Sequence, residues 1–189
     1  RILFCPPMSG AMNLPNLLTY GRIAAIPVIC LLLAVGGTLL GWIALLLYIA
    51  AAVTDWLDGY LARRMNQGTP LGRMLDPIAD KLLVGALLIV LAWNGSFSAL
   101  DLVPTIAILL REIFVPGLRE FLGPLNIVVH VTKLAKWKTT VQLVALGVVI
   151  AERLIPGLGL VSDIALWLAG LLTVWTGWQY FAGALPHLV

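Results

Sequence analysis

Four aspartates lie close together in a chain that is otherwise poor in charged residues. They fall between positions 55 and 80 of a 189-residue chain with 9 acidic residues in all, and they are Asp55, Asp58, Asp76 and Asp80. The members of each pair are three or four residues apart, so each pair shares one face of a helix. Carboxylate oxygens suit Mg²⁺ or Mn²⁺, and two such ions about 3.5–4 Å apart clamp both oxygens of a displacement at phosphorus. The spacing therefore predicts that the four aspartates hold two divalent cations and act on phosphate groups.

Small residues accompany the aspartates at helix-turn spacing. Gly59, Ala62 and Gly72 would leave a trough in which a bulky group can approach the backbone. A structural alternative is an ion-pair network in which basic neighbours neutralise the aspartates, and these neighbours are Arg63, Arg64, Arg73 and Lys81. Ionisable residues in transmembrane segments are costly and usually mark function. We therefore favour a functional cluster over a purely structural network.

The composition of the chain indicates an integral membrane protein. Hydrophobic residues make up 61% of the sequence and charged residues 11%, against about 45–50% and about 25% in soluble domains. This excludes a disordered chain, a disulfide-rich secreted domain and an ordinary soluble enzyme. The 2 cysteines form no metal-binding spacing, and no nucleic-acid motif is present.

Apolar runs long enough to cross a bilayer, which takes about 20 residues each, predict an all-α protein with six transmembrane helices. The runs cover roughly residues 17–36, 40–60, 74–93, 101–122, 137–154 and 161–183. An amphipathic segment from Asn13 to Arg22 predicts a short interfacial helix before the first span. We expect residues 13–189 to form one catalytic domain. We expect residues 1–12 to be a flexible leader or a segment foreign to the natural protein.

The turn-forming linker at residues 64–71 folds the third span back against the second, so the two aspartate pairs face each other at one membrane border. If the spans alternate from a cytoplasmic N-terminus, only Arg153 lies on the outer side. The basic residues on the inner side are Arg22, Arg63, Arg64, Arg73, Lys81, Arg111, Arg119, Lys133, Lys136 and Lys138. This asymmetry predicts a multi-pass protein of the inner (cytoplasmic) membrane, with both termini and the aspartates on the cytoplasmic side.

The spacing Asp55-x2-Asp58-Gly59-x2-Ala62-Arg63-x8-Gly72-x3-Asp76-x3-Asp80 resembles the signature of the CDP-alcohol phosphotransferase family at every fixed position. The resemblance extends over about Asn13 to Gln142. It includes the segments Asn13–Arg22, Arg111–Ile113, Gly117–Glu120 and Lys136–Thr139.

The resemblance implies a dimeric six-helix fold whose active site opens to the cytoplasm and to lipid. In this family the residues matching Asp55, Asp58 and Asp76 hold the metals, and Asp80 lies near them as the general base. The CDP-alcohol would bind along Asp55, Asp58, Gly59, Ala62, Arg63 and Gly72. The implied reaction transfers the phosphatidyl group of CDP-diacylglycerol to glycerol 3-phosphate and releases CMP.

Basic residues near the inner ends of spans four and five would hold the phosphate of this water-soluble acceptor. Arg111 and Arg119 lie eight residues apart on roughly one face of span four, and Lys136 begins span five together with Lys133 and Lys138. Arginine can grip a phosphate with two hydrogen bonds. The alternative is that these residues snorkel to the membrane surface and pair with Glu112 and Glu120.

Other functions remain open at this point. Within the family, the acceptor could instead be inositol phosphate, serine or choline. An aspartate-rich membrane prenyltransferase also uses paired aspartates and Mg²⁺, but its aspartate spacing differs. A small transporter would place acidic residues near the bilayer midplane, whereas here they lie at one border.

Overall fold

The computed structural model describes residues 14–65, 70–125 and 133–187, except for the side chains of residues 14–16, 56–65, 70, 71, 73, 125, 133–136 and 187. Within these ranges the chain forms six α-helices and two short 3₁₀ turns that follow α4 and α6. The helices are α1 Leu14–Val35, α2 Thr38–Met65, α3 Pro70–Trp93, α4 Leu102–Leu122, α5 Lys133–Glu152 and α6 Gly159–Ala184. All six predicted spans are therefore helical, and their predicted ends lie within a few residues of the observed ones.

The N-terminal region differs from the prediction. Residues 14–22 do not form a separate interfacial helix but the first part of α1, which continues to Val35. The amphipathic character of this segment has another cause, because its polar residues Thr19 and Arg22 are both buried inside the bundle. The predicted leader at residues 1–12 lies outside the described residues.

Glycine permits the tight turn between the first two helices. Only Gly36 and Gly37 separate α1 from α2, and their φ angles are +78° and +94°. This left-handed region is costly for residues with a Cβ atom. The chain can therefore reverse direction within two residues, which packs α1 antiparallel to α2.

The core lies along α3. Leu83, Leu87 and Leu91, four residues apart, are at most 2% exposed. They pack with buried residues of the other helices, among them Ile29, Ile108, Leu146 and Leu166. Because α3 occupies this central position, its N-terminal residues, including Asp76 and Asp80, are set between α1, α4 and α5.

Three segments in the described part of the chain are long and apolar enough to cross a membrane by length and composition, namely Leu17–Val35, Thr38–Asp55 and Gly159–Ala184. The outward faces of these segments carry large apolar side chains, such as Leu31, Leu46 and Leu171, which are more than 60% exposed. Helices α2, α3, α4 and α5 each contain four charged residues, and all of these except Glu152 lie between the middle and one end of the bundle. The chain is thus a membrane protein with a charged end.

Helices α4 and α6 approach each other closely at one glycine. A Cβ atom added at Gly170 would lie 2.6 Å from Cβ and 3.0 Å from Cα of Pro104. Since lipid tails are as apolar as the side chains, helices in a membrane associate largely through such close packing of small residues. Gly170 therefore sets the distance between the two helices.

We expect Gly170→Ala to lower the thermal unfolding midpoint in detergent, because overpacking costs about 1–3 kcal/mol. Gly117→Ala on α4 is the matched control, since nothing lies within 4 Å of its added Cβ. Alanine favours a helix by up to about 1 kcal/mol over glycine, so the control should unfold at the same temperature or higher. Equal midpoints for the two variants would contradict the close approach.

Candidate functional site

Two of the predicted aspartates are held by side chains of α1. Thr19 donates a hydrogen bond from Oγ1 to Oδ1 of Asp76 over 2.8 Å, and the guanidinium of Arg22 forms an ion pair with Asp55. Thr19 and Arg22 are three residues apart, so they lie on one face of the helix, and they are 1% and 2% exposed. Helix α1 thereby connects the end of α2 with the start of α3.

The fourth aspartate, Asp80, lines a cavity of about 500 Å³ between α3, α4 and α5. Four basic and three acidic side chains line this cavity, and they are Lys81, Arg111, Arg119, Lys138, Asp80, Glu112 and Glu120. Asp80 lies within electrostatic range of Asp55 and Glu112 as well as of Arg22 and Lys138. We call this space the charged cavity; its excess of one positive charge suits an anionic ligand.

Glu112 pairs with two cations at the wall of the charged cavity. Lys138, which is 2% exposed, forms an ion pair with it across α4 and α5, and Arg111 lies 3.3 Å from the same carboxylate oxygen. Lys138 and Arg111 therefore both pair with Glu112, as the predicted alternative requires, and both also line the charged cavity.

Arg119 is positioned by an aromatic ring rather than by a carboxylate. Its guanidinium carbon lies 5.5 Å from the centre of the Tyr180 ring on α6, within the range of a cation–π interaction. Such a contact orients the guanidinium and leaves its N–H donors for a ligand. Arg111 and Arg119, predicted to share a face, both line the charged cavity.

A second, apolar space lies between α2 and α5 and has a volume of about 610 Å³. Its walls are mostly aliphatic, including Leu45, Val53 and Val148, and Asp55 and Thr139 also line it. We call it the apolar groove. Thr139 lines both the apolar groove and the charged cavity, so the two spaces adjoin at this residue of α5.

Several predicted site residues lie where only the helix backbone is described. They are Asp58, Gly59, Ala62 and Arg63 on α2 and Lys136 on α5, whose side chains are outside the described part of the structure. Gly72 on α3 is buried. Among the side chains that are described, no three Asp, Glu, His or Cys residues gather closely enough to hold a metal ion. Asp55, Asp76 and Asp80 therefore do not form a metal-binding group by themselves, and the set of four metal ligands stays a prediction.

The sequence did not reveal Thr19 and Gln142 as members of the site, and it indicated Glu112 only as a partner of the basic residues. Gln142 is buried and lines the charged cavity, and Arg22 was not predicted to contact an aspartate. One signal was present in the sequence: Thr19 and Arg22 are polar residues three apart in a run that is otherwise largely apolar. That spacing marks a helix face with polar partners, but it does not say which helix supplies them.

Comparisons with known proteins identify relatives of this chain. A family model described as CDP-alcohol phosphatidyltransferase matches residues 12–175. A protein of Rickettsia bellii named CDP-diacylglycerol–glycerol-3-phosphate 3-phosphatidyltransferase is 47% identical, over 89% of this chain and 93% of its own. A protein of Cereibacter sphaeroides with the same name is 38% identical, over 93% and 97%. A rice protein named cardiolipin synthase (CMP-forming) is 42% identical, over 78% of this chain and 48% of its own.

The ion pairs of Glu112 should stabilise the folded protein. Glu112→Gln should lower the thermal unfolding midpoint strongly, because it leaves Lys138 buried without a carboxylate, and breaking a buried pair costs about 3–5 kcal/mol. Glu120→Gln, on the exposed side of the same cavity, is the control and should cost less than about 1 kcal/mol. Adding Lys138→Met to Glu112→Gln should restore part of the loss. If Glu112→Gln is no less stable than the control, the pairing is wrong.

Proposed function

The chain belongs to the CDP-alcohol phosphatidyltransferase family, and we propose that it transfers the phosphatidyl group of CDP-diacylglycerol to glycerol 3-phosphate. The products are CMP and phosphatidylglycerol phosphate. The observation that carries this proposal is the identity of 47% over 89% of the chain with a relative named for that reaction. The adjoining apolar groove and charged cavity support it, because a lipid donor and a water-soluble phosphate acceptor require one of each.

The donor side of the proposal rests on the apolar groove. Its aliphatic walls on α2 and α5 suit acyl chains, and it is open to the lipid-facing surface between these helices. Asp55 lines the same groove, so a lipid seated there has its headgroup beside the aspartates of α2. In the proposal, Gly59, Ala62, Arg63 and Gly72 take the cytidine diphosphate.

The donor set of the aspartates fits a divalent cation, since carboxylate oxygens are the ligands that Mg²⁺ and Mn²⁺ prefer. Asp55 and Asp76 are both fastened to one helix, by Arg22 and Thr19, which keeps carboxylates from two helices near each other. In the proposal Asp55, Asp58 and Asp76 hold the cations, with Asp80 beside them. Bound cations would offset the negative charge of the pyrophosphate and of the departing CMP.

The acceptor side rests on the charged cavity. Arg111 and Arg119 line it and, with Lys136, hold the phosphate of glycerol 3-phosphate. The Asp80 carboxylate accepts the proton of the attacking hydroxyl. The hydroxyl oxygen bonds to the phosphatidyl phosphorus while the bond from phosphorus to the CMP oxygen breaks.

The proposal also covers how the protein is oriented in the membrane and how it assembles. We place the charged end of the bundle and both termini at the cytoplasmic face of the membrane, because the basic residues concentrate at that end. All six helices then cross the bilayer, including α3, α4 and α5 with their charged inner ends. Assembly into homodimers, which the family resemblance implies, stays a prediction.

The proposal is tested by CMP release from purified protein in detergent with CDP-diacylglycerol and Mg²⁺. The acceptors to compare are glycerol 3-phosphate, inositol phosphate, serine and none. We expect CMP only with glycerol 3-phosphate, together with phosphatidylglycerol phosphate by mass spectrometry. CMP with another acceptor alone would overturn the acceptor assignment. Cardiolipin as the product would favour the activity for which the rice relative is named.

Arg119→Ala should raise the KM for glycerol 3-phosphate about 10-fold or more, because a charge-assisted hydrogen bond contributes about 1.5–3 kcal/mol. The KM for CDP-diacylglycerol should change much less. Arg153→Ala is the control, since Arg153 lies near Ser96 at the other end of the bundle, and should leave both values unchanged. Equal increases for both substrates in Arg119→Ala would point to a structural role.

Thr19→Val should weaken Mn²⁺ binding about 10–100-fold, as loss of a hydrogen bond to a metal ligand commonly does. Thr19→Ser keeps the hydroxyl and should bind Mn²⁺ as the unmodified protein does. Thr105→Val is the matched control, since this buried hydroxyl donates to the carbonyl oxygen of Asp101, the residue before α4, over 2.7 Å. Electron paramagnetic resonance of free Mn²⁺ measures the affinity without turnover. Unchanged affinity in Thr19→Val would refute the support that Thr19 gives to Asp76.

A further inference from the structure

Gln142 on α5 is a buried amide that the proposed chemistry does not use. The residue is 2% exposed and lines the charged cavity. Its Oε1 atom is enclosed and has no hydrogen-bond partner among the described residues. A buried acceptor without a donor is destabilising. An oxygen in this position at a cavity therefore indicates a donor that a ligand supplies.

The neighbours of Gln142 in the charged cavity explain why its oxygen stays without a partner. Lys138, one helical turn earlier, forms an ion pair with Glu112, and the wall that α3 and α4 contribute includes two apolar residues, Val84 and Val115. Asp80 and Lys81 are the polar residues of α3 in this wall. An ionised carboxylate only accepts hydrogen bonds, and the Gln142 oxygen accepts none from Lys81. Gln142 thus faces a space in which a bound molecule can supply the missing donor.

The residues that line the charged cavity lie at different depths along their helices. At 1.5 Å per residue, Asp80 lies about 15 Å from the start of α3 and Gln142 about 14 Å from the start of α5. Arg119 lies only about 5 Å from the end of α4 at the same side of the bundle. Arg111, about 17 Å from that end, lies level with Asp80 and Gln142. A ligand whose phosphate lies between Arg119 and Arg111 would therefore place its other end toward Asp80 and Gln142.

We propose that Gln142 accepts a hydrogen bond from the second hydroxyl of the acceptor, and so selects glycerol 3-phosphate over phosphates with one hydroxyl. This inference rests on the proposed function. One hydroxyl of glycerol 3-phosphate attacks the donor and gives its proton to Asp80, so the other hydroxyl needs a partner of its own. An amide oxygen can only accept, which matches a hydroxyl donor and rejects a phosphate or carboxylate at this place.

A pair of acceptors that differ only in this hydroxyl tests the inference. Glycerol 3-phosphate is compared with 3-hydroxypropyl phosphate, and kcat/KM is measured from CMP release with CDP-diacylglycerol held constant. We expect the unmodified protein to prefer glycerol 3-phosphate about 10-fold or more, because a site built for a hydroxyl rejects the analogue that lacks it. In Gln142→Met, which has a similar size and no such acceptor, the preference should fall to about twofold or less.

Two further variants make the result specific. Gln179→Met changes an amide on α6 outside the lining of the charged cavity, and it should keep the preference of the unmodified protein. Gln142→Glu keeps an acceptor oxygen: its charge should raise the KM for both phosphates, while the ratio between them stays near 10-fold. This ratio is a readout that general loosening of the bundle would not move.

The outcomes separate this inference from the proposed function. No turnover of glycerol 3-phosphate by the unmodified protein means that the proposed function is wrong, and the inference falls with it. Turnover with a preference below twofold, or a full preference retained by Gln142→Met, overturns the inference alone. If Gln142→Met does not fold, as judged by gel filtration, the kcat/KM ratio between the two acceptors is compared in the unmodified protein and in Gln142→Glu instead. A ratio near 10-fold in both supports the inference, and loss of the ratio in Gln142→Glu overturns it.

Discussion

A charge inside an apolar bundle must have a partner, and this constraint organises the functional end of the protein. Removing an ion from water without compensation costs several kcal/mol. Among the basic residues whose side chains are described, Arg22 and Lys138 are the most deeply buried, each 2% exposed, and each pairs with a carboxylate of another helix. These pairs tie α1 to α2 and α5 to α4. These buried ion pairs therefore determine which helices meet at the charged end of the bundle.

The same constraint separates two carboxylates that look alike in the sequence. Glu112 and Asp80 both line the charged cavity, but Glu112 pairs with Lys138 and Arg111. Its negative charge is compensated, so its main effect is to hold two cations in place. Asp80 is surrounded by charges of both signs at longer range. That environment suits a group which has to accept and release a proton, whereas a group locked in two ion pairs would lose both on protonation.

The helices could be predicted from the sequence, because apolar runs of fixed length located α3 and α6 within a few residues. Four-residue spacing predicts that Asp76 and Asp80 share a face, but in the structure Asp76 contacts α1 and Asp80 lines the cavity against α4 and α5. The partners of these residues could not be predicted. Thr19 and Gln142 are polar residues in apolar helices, and only the packing of α1 and α5 against α3 decides what they contact. The short helix predicted before α1 was wrong for the same reason, since buried polar residues produced its amphipathic pattern.

The proposed reaction has to unite a lipid with a molecule that dissolves only in water, and the position of α5 meets this requirement. Its residue Thr139 lines the apolar groove and the charged cavity at once. Asp55 lines the first space and Asp80 the second, and the two carboxylates are within electrostatic range of each other. A phosphorus atom held beside Asp55 and a hydroxyl held beside Asp80 would therefore meet where the two spaces adjoin. Neither substrate has to leave its preferred solvent: the acyl chains stay against the lipid-facing helices, and the acceptor phosphate stays near the basic rim at Arg119.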